Sequence, residues 1–162
     1  MPPATATEQR LEVQTFEFTK DTLIAAPAEV VWDAVLAECG PEGQMPDGKP
    51  FPFKLEAWPG GRWFRDLGDD AGHLWGHVQV IKPPKLLEIC GPMMASYPTT
   101  NHLQYRLTPE GNGTRLKLTH RAFGWMPAGF VQGADQGFTH WMKRVEEIAM
   151  RLKAEQKTPG GR

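Results

Sequence analysis

The chain has 162 residues, which is the usual size of one domain, and roughly two-thirds of its unfolded surface can be buried at that length. Its 18 Lys and Arg residues against 19 Asp and Glu residues give a net charge of −1, which argues against a nucleic-acid-binding protein. A hydrophobic content of 40% excludes a disordered chain, two cysteines are too few for a disulfide scaffold, and no apolar run approaches the roughly 18 residues of a membrane span.

One domain is predicted over residues 13–155. Residues 1–12 are polar and lack the apolar segment of a signal peptide, so we interpret them as a loose leader. Residues 156–162 end in Pro-Gly-Gly-Arg and are interpreted as a tail. No repeat or interior linker divides the chain, and we expect a cytoplasmic protein.

The first predicted elements are a strand and a short helix. Aromatic and β-branched residues alternate with polar ones from Phe16 to Ile24, which is typical of a strand. Pro27 suits the first turn of a helix because its missing N–H costs nothing there. Apolar residues then recur at helical spacing, as Val31, Trp32, Val35 and Leu36.

A Gly/Pro-rich connection and a series of strands follow. The connection, residues 40–52, is expected to be irregular, and its Phe51 should pack inward or cover an opening. The strand-like runs are 53–58, 62–67, 73–81, 86–90, 100–108 and 114–122. The segment Glu110-Gly-Asn-Gly113 indicates a hairpin, and the alternation on both sides of it predicts a sheet with one dry face.

The last predicted element is a long amphipathic helix from Gly129 to Leu152, about 36 Å long at roughly 1.5 Å per residue. Its apolar stripe recurs at steps of three and four, as Ala134, Phe138, Trp141, Val145, Ile148 and Leu152. The element order predicts an α+β fold, in which a curved antiparallel sheet of about six to seven strands wraps around the long C-terminal helix, with a short helix or helices after strand 1. A cavity between sheet and helix is expected from that geometry.

Five short motifs carry a family resemblance. They are IAAPAEVVWDAV at 24–35, PGGRW at 59–63, GHV at 76–78 with KPPKLL at 82–87, GTRLKLTH at 113–120, and QGF at 136–138. In this order the motifs resemble the START-like superfamily (SRPBCC, Bet v 1-like), and within it the branch of homologues of the activator of heat-shock protein 90 ATPase. The resemblance implies the helix-grip fold with a pocket for lipids, sterols, polyketides or other apolar molecules. Some members of the superfamily are cyclases or hydrolases.

His120 and Tyr105 are the candidate catalytic residues. His120 shares the parity of Leu116 and Leu118, so it should face inward near a strand end. A neutral imidazole there could contact a ligand or act as a general acid or base, or it could be a core histidine bonded to a neighbouring Tyr or a backbone carbonyl. Tyr105 faces the same way on the paired strand and is a candidate partner.

The candidate ligand-binding residues come from the middle strands, the hairpin and the inner stripe of the last helix. Trp63 and Arg65 share one parity, as do Trp75 and His77 on the next strand, and which side faces inward is left open. An inward Arg65 would need an acidic ligand group or a partner carboxylate. The stripe could wall a pocket or simply be core. The candidates are Trp63, Arg65, Trp75, Tyr105, His120, Phe138, Trp141, Met142 and Val145.

The sequence predicts neither a metal site nor a cofactor. His73 and His77 would lie about 13 Å apart on a strand, at roughly 3.3 Å per residue, which is too far to share a metal ion. Ser96 has no GxSxG elbow around it, and no glycine-rich phosphate loop is present. Cys39 and Cys90 have no activating histidine near them in sequence, so we expect idle thiols.

The leading hypothesis is a protein that binds a small apolar or aromatic molecule between the sheet and the last helix. One alternative is a polyketide-cyclase-like enzyme using His120, Tyr105 and Arg65, and another is a chaperone-interacting protein. We expect binding rather than catalysis. We also expect no nucleic-acid partner, no membrane span, and a monomer or homodimer.

Overall fold

The computed structural model describes residues 1–156 and shows one seven-stranded antiparallel sheet packed against two helices. In chain order the elements are β1 (Gln14–Ile24), α1 (Ala28–Glu38), β2 (Lys54–Leu55), β3 (Arg62–Gly68), β4 (Ala71–Lys82), β5 (Leu86–Gly91), β6 (Thr99–Glu110), β7 (Gly113–Gly124) and α2 (Phe130–Gln156). The order of strands across the sheet is β1-β7-β6-β5-β4-β3-β2. The predicted α+β architecture is confirmed.

The predicted boundaries differ most at the third element and at the chain ends. The strand predicted over 53–58 is wrong beyond β2, because the Glu56 carboxylate accepts hydrogen bonds from the backbone N–H and the guanidinium of Arg62 and closes a turn there. Helix α2 runs on to Gln156. Residues 1–13 form neither helix nor strand. The tail predicted over 156–162 lies outside the described residues apart from Gln156.

The turn between β2 and β3 explains the PGG motif. Gly60 has a φ of 82°, a left-handed conformation that glycine adopts without strain. Gly61 has no room for a side chain, because a Cβ there would lie 1.9 Å from the Glu56 carbonyl oxygen. The motif is therefore a backbone requirement of this turn, and it brings the chain back so that Trp63 points into the core.

The dry face of the sheet is covered by the helices. On the β6–β7 hairpin the inward residues are buried: Leu103, Tyr105, Leu107, Leu116 and Leu118. Helix α2 has 27 residues, about 40 Å at roughly 1.5 Å per residue, and packs against α1 and the sheet. Within residues 1–156, no helix is long and apolar enough to cross a membrane.

A β-bulge sets the direction of Trp75. Trp63 pairs with Gly76 and Phe64 with Leu74, so Trp75 is an extra residue in the β3–β4 ladder. Its indole is buried, whereas His77 is exposed. The expectation that these two side chains share a face is wrong, because a bulge reverses the alternation of the strand.

Candidate functional site

An apolar cleft of about 230 Å³ lies between the N-terminal half of α2, the 40–53 connection and the sheet. Every residue that lines it is uncharged: Met45, Pro46, Phe51, Trp75, Met94, Gly133, Gly137, Phe138 and Trp141. The loop, the bulged strand and the helix therefore each contribute a wall, and the resulting surface suits an uncharged molecule.

The aromatic wall of the cleft belongs to a cluster formed by Phe53, Trp63, Trp75, Phe138 and Trp141, of which Phe53 and Trp63 lie behind the lining residues. Neighbouring ring centroids are 4.8 to 5.9 Å apart, and the indoles of Trp75 and Trp141 stack. The Trp63 indole Nε1 donates a hydrogen bond to the Cys39 carbonyl at 2.7 Å. Because these rings fill the space under the helix, the opening between sheet and helix is shallow.

The 40–53 connection covers one side of the cleft, and hydrogen bonds join it to α2. The Glu42 carboxylate accepts two hydrogen bonds of 2.7 Å from the Arg151 guanidinium. The Trp141 indole Nε1 donates to the Gln44 carbonyl at 3.3 Å. Phe51 packs on Phe53, with ring centroids 5.4 Å apart, which confirms the prediction of an inward-packed loop residue.

Arg65 lies on the outside of this connection. Its guanidinium carbon is 3.6 Å from the centroid of the Phe51 ring, and its Nε donates to the Pro52 carbonyl at 3.3 Å. Within residues 1–156 no carboxylate lies within 4 Å of it. The side chain is half-buried, so a cation–π contact and solvent take the place of the acidic partner that an inward arginine would need.

His120 lies under α2, away from the cleft, and is 0% exposed. The Asn101 side-chain amide donates to the Pro92 carbonyl at 3.0 Å, which turns its Oδ1 toward His120. The His120 Nε2–H therefore donates to that oxygen at 2.7 Å, and Nδ1 is buried without a hydrogen-bond partner among the described residues. The rings of Phe16, Phe18 and Phe138 surround the imidazole with centroids about 5 Å away. Burial lowers the pKa of His120 to about 4.

Tyr105 and His120 do not pair. The Tyr105 hydroxyl accepts a weak hydrogen bond from the Cys39 thiol at 3.8 Å. Both groups are buried, and desolvation raises the pKa of Cys39 to about 12 and that of Tyr105 well above its usual value. The expected Tyr–His partnership is wrong, because each residue meets a different buried polar group.

Glu38, at the C-terminal end of α1, is a buried acid that the sequence interpretation missed. It is 0% exposed, and no side chain of the described residues donates a hydrogen bond to either carboxylate oxygen. The Arg144 Nε on α2 lies 3.7 Å away. Desolvation raises the pKa of Glu38 to about 8, against the opposing attraction of Arg144. Its place seven residues after Val31, on the same helix face, could have revealed it.

The structure brings only part of the predicted ligand-binding set to the cleft: Trp75, Phe138 and Trp141. Met142 and Val145 lie further along the buried stripe of α2, and Trp63 lies behind the cleft. The lining residues that the sequence interpretation missed are Met45, Pro46, Met94, Gly133 and Gly137. No periodic signal marks them, because they come from loops or have no side chain.

Within residues 1–156, no three His, Cys, Asp or Glu side chains converge as metal ligands would. The cysteines are both free, with Cys39 buried and Cys90 half-buried.

The low pKa of His120 predicts that the folded protein loses stability as the pH falls. The imidazole is neutral in the folded state down to about pH 4 but gains a proton near pH 6.5 when the chain unfolds. The unfolded state therefore binds more protons between those values, and this contribution to stability is lost as the pH falls. We expect the stability advantage of the wild type over His120→Gln to shrink by about 3 kcal/mol from pH 7 to pH 4. Urea unfolding at each pH measures it, and a pH-independent difference would contradict it.

Several solved structures have a fold similar to that of this chain. No protein-family model and no curated protein matches the sequence. An uncharacterized protein from Rhizobium leguminosarum is 15% identical, with a TM-score of 0.62 over 88% of this chain and 99% of that one. Ara h 8.0201 is 13% identical, with a TM-score of 0.60 over 86% of this chain and 99% of its own. The chain has the helix-grip fold of Bet v 1-like proteins.

A third helix-grip neighbour is larger than this chain. StfQ, the di-domain ARO/CYC protein of the steffimycin biosynthetic pathway, is 11% identical, with a TM-score of 0.61 over 86% of this chain and 52% of StfQ. At these identities the likeness is one of fold. In this fold the sheet packs against α2, and the cleft opens beside the N-terminal half of that helix.

Proposed function

We propose that this helix-grip domain binds a small, uncharged aromatic or apolar molecule in the cleft. The observation that carries the proposal is the cleft itself, an opening of about 230 Å³ walled by four aromatic rings and two methionines. Ligand sites are concave and mostly apolar, and this opening has that character. A bound molecule would cover apolar surface that water now reaches, which stabilises the complex by roughly 25 cal/mol for each Å² removed from water.

The size and lining of the cleft restrict the ligand. Pockets for drug-sized molecules span roughly 300–1,000 Å³, so this smaller opening suits a molecule of one or two rings. Because no lining residue carries a charge, a charged ligand would lose its hydration without gaining a partner.

Two further proposals concern the family branch and the cellular location of the protein. We propose that the chain belongs to the branch of heat-shock ATPase activator homologues because of its ordered motifs, of which PGGRW spans the β2–β3 turn and the start of β3, and GTRLKLTH forms most of β7. Two free thiols suit a reducing compartment, which supports a cytoplasmic location. Interaction with a chaperone and cyclase-like catalysis remain alternative predictions from the resemblance.

A thermal-shift titration tests the proposal. With 2-naphthol, an uncharged two-ring probe, we expect a rise in melting temperature that saturates, since a ligand at a hundred times its Kd adds about 2.7 kcal/mol of stability. Naphthalene-2-sulfonate, the charged analogue, is the matched control and should give a far smaller rise. Native mass spectrometry of the purified protein, repeated after denaturation, shows whether it already carries a small molecule. No shift with either probe and a bare chain mass would count against a binding function.

A further inference from the structure

We propose that Gly133 and Gly137 determine which ligands the cleft accepts, by leaving the α2 backbone bare so that a flat aromatic ring can lie directly against it. The inference rests on the proposed function, because it concerns the same cleft.

The two glycines occupy one face of α2 and border the cleft. They are four residues apart, which places them one above the other on a helix, and both belong to the cleft lining. Apart from the neighbouring residues and backbone of α2 itself, a Cβ added to either would meet no heavy atom within 4 Å among the described residues. Neither has a positive φ. Close packing and backbone conformation therefore do not require glycine at these positions.

The two glycines also weaken the helix that carries them. Glycine within a helix is less favourable than alanine, because it loses more backbone freedom on folding. The next cleft-lining residues along α2 are large rings, those of Phe138 and Trp141. Because neither glycine has a side chain, this part of α2 leaves open space beside the aromatic rings. The glycines make the helix less stable, and the binding of a ligand would offset that loss.

The opposing lining favours a flat ring over a puckered one. Phe51, Trp75, Phe138 and Trp141 present aromatic surfaces, which attract another ring through stacked and edge-to-face contacts. Met45 and Met94 add thioether sulfurs, which also contact aromatic rings favourably. A saturated bicyclic molecule with the same number of carbons gains neither contact and is thicker, so it cannot approach the bare backbone as closely.

The test compares 2-naphthol with decahydro-2-naphthol by isothermal titration calorimetry. Wild type should bind the aromatic alcohol at least 10-fold more tightly than the saturated one. Gly137→Leu should weaken 2-naphthol binding by at least 10-fold, and Gly137→Ala by a smaller factor, while both raise the melting temperature of the free protein. Gln136→Leu is the matched control, because it adds the same side chain to the same turn of α2 at an exposed position outside the cleft, and its affinity should equal that of wild type.

The outcomes separate this inference from the proposed function. If wild type binds neither alcohol, both fail. If wild type binds 2-naphthol and Gly137→Leu binds it equally well, the role of the glycines is overturned and the binding function stands. Equal affinity of wild type for the flat and the saturated alcohol overturns the preference for flat rings. A melting temperature of Gly137→Leu at or above that of wild type shows that any lost affinity does not come from unfolding.

Discussion

Replacing Trp63 with alanine should lower the free energy of unfolding by about 3–5 kcal/mol, the usual loss for a large buried aromatic residue. The indole is 0% exposed and contacts the rings of Phe53, Trp75 and Trp141 at centroid distances of 5.0 to 5.9 Å. The substitution also leaves the buried Cys39 carbonyl without its 2.7 Å hydrogen bond, which adds a desolvation penalty. Urea denaturation followed by far-UV circular dichroism measures the change.

The chain offers a matched control for this substitution. Trp58 lies five residues earlier, beside the same β2–β3 turn, and is 57% exposed. Trp58→Ala should change stability by no more than about 0.5 kcal/mol, as is usual for surface positions. Equal losses from the two substitutions would show that the aromatic cluster is not the centre of the core.

The wild-type protein should lose stability as the pH rises, and Glu38→Gln should abolish that loss. Burial raises the pKa of Glu38 from its ordinary value of 4.5 to about 8, so the folded state holds a proton that the unfolded state releases. The folded state therefore binds more protons in this window, and stability falls as the pH rises through it, by on the order of 5 kcal/mol in total. Between pH 6.5 and 8 wild type should lose about 2 kcal/mol more stability than Glu38→Gln, because the remaining titration of His120 in the unfolded chain is the same in both proteins.

Urea unfolding in steps across pH 6.5 to 8 tests this expectation. Glu146→Gln removes an exposed carboxylate from the same helix that carries Arg144, and its profile should follow that of wild type. A wild-type stability that is flat or rises over the range would mean that Arg144 holds Glu38 ionised in the folded protein. Below pH 6.5 the Glu38 and His120 contributions have opposite signs, so the His120 effect is clearest in the Glu38→Gln background.

The fold was predictable from sequence because its signals are local and repeated. The steps of three and four from Ala134 to Leu152 predicted α2, and the alternation around Glu110–Gly113 predicted the β6–β7 hairpin. The family resemblance added the way in which sheet and helix are arranged. Each of these signals depends on many residues, so an error at one position does not change the result.

The candidate site was predictable only in part, because it depends on single departures from periodicity. One extra residue in β4 points Trp75 into the core and leaves His77 in solvent, which alternation alone cannot show. Met45 and Pro46 reach the cleft through an irregular loop that Glu42 and Arg151 tie to α2. His120 was correctly expected to face inward, but its partner Asn101 lies on the neighbouring strand, and sequence order does not reveal that contact.

The order of the strands and of α2 along the chain delays folding while the protein is synthesised. Gln14 on β1 pairs with Gly124 on β7 and Ile24 with Thr114, so one of the longest ladders joins residues about 90 to 110 positions apart, and α2 follows every strand. While the chain emerges from the ribosome, α1 is the one helix available to cover the apolar face of the sheet, and β1 has no partner until β7 appears. Folding must then wait until nearly all of the domain has been synthesised. Long-range strand pairing of this kind is slow, and it leaves nascent chains open to association with one another until α2 packs into place.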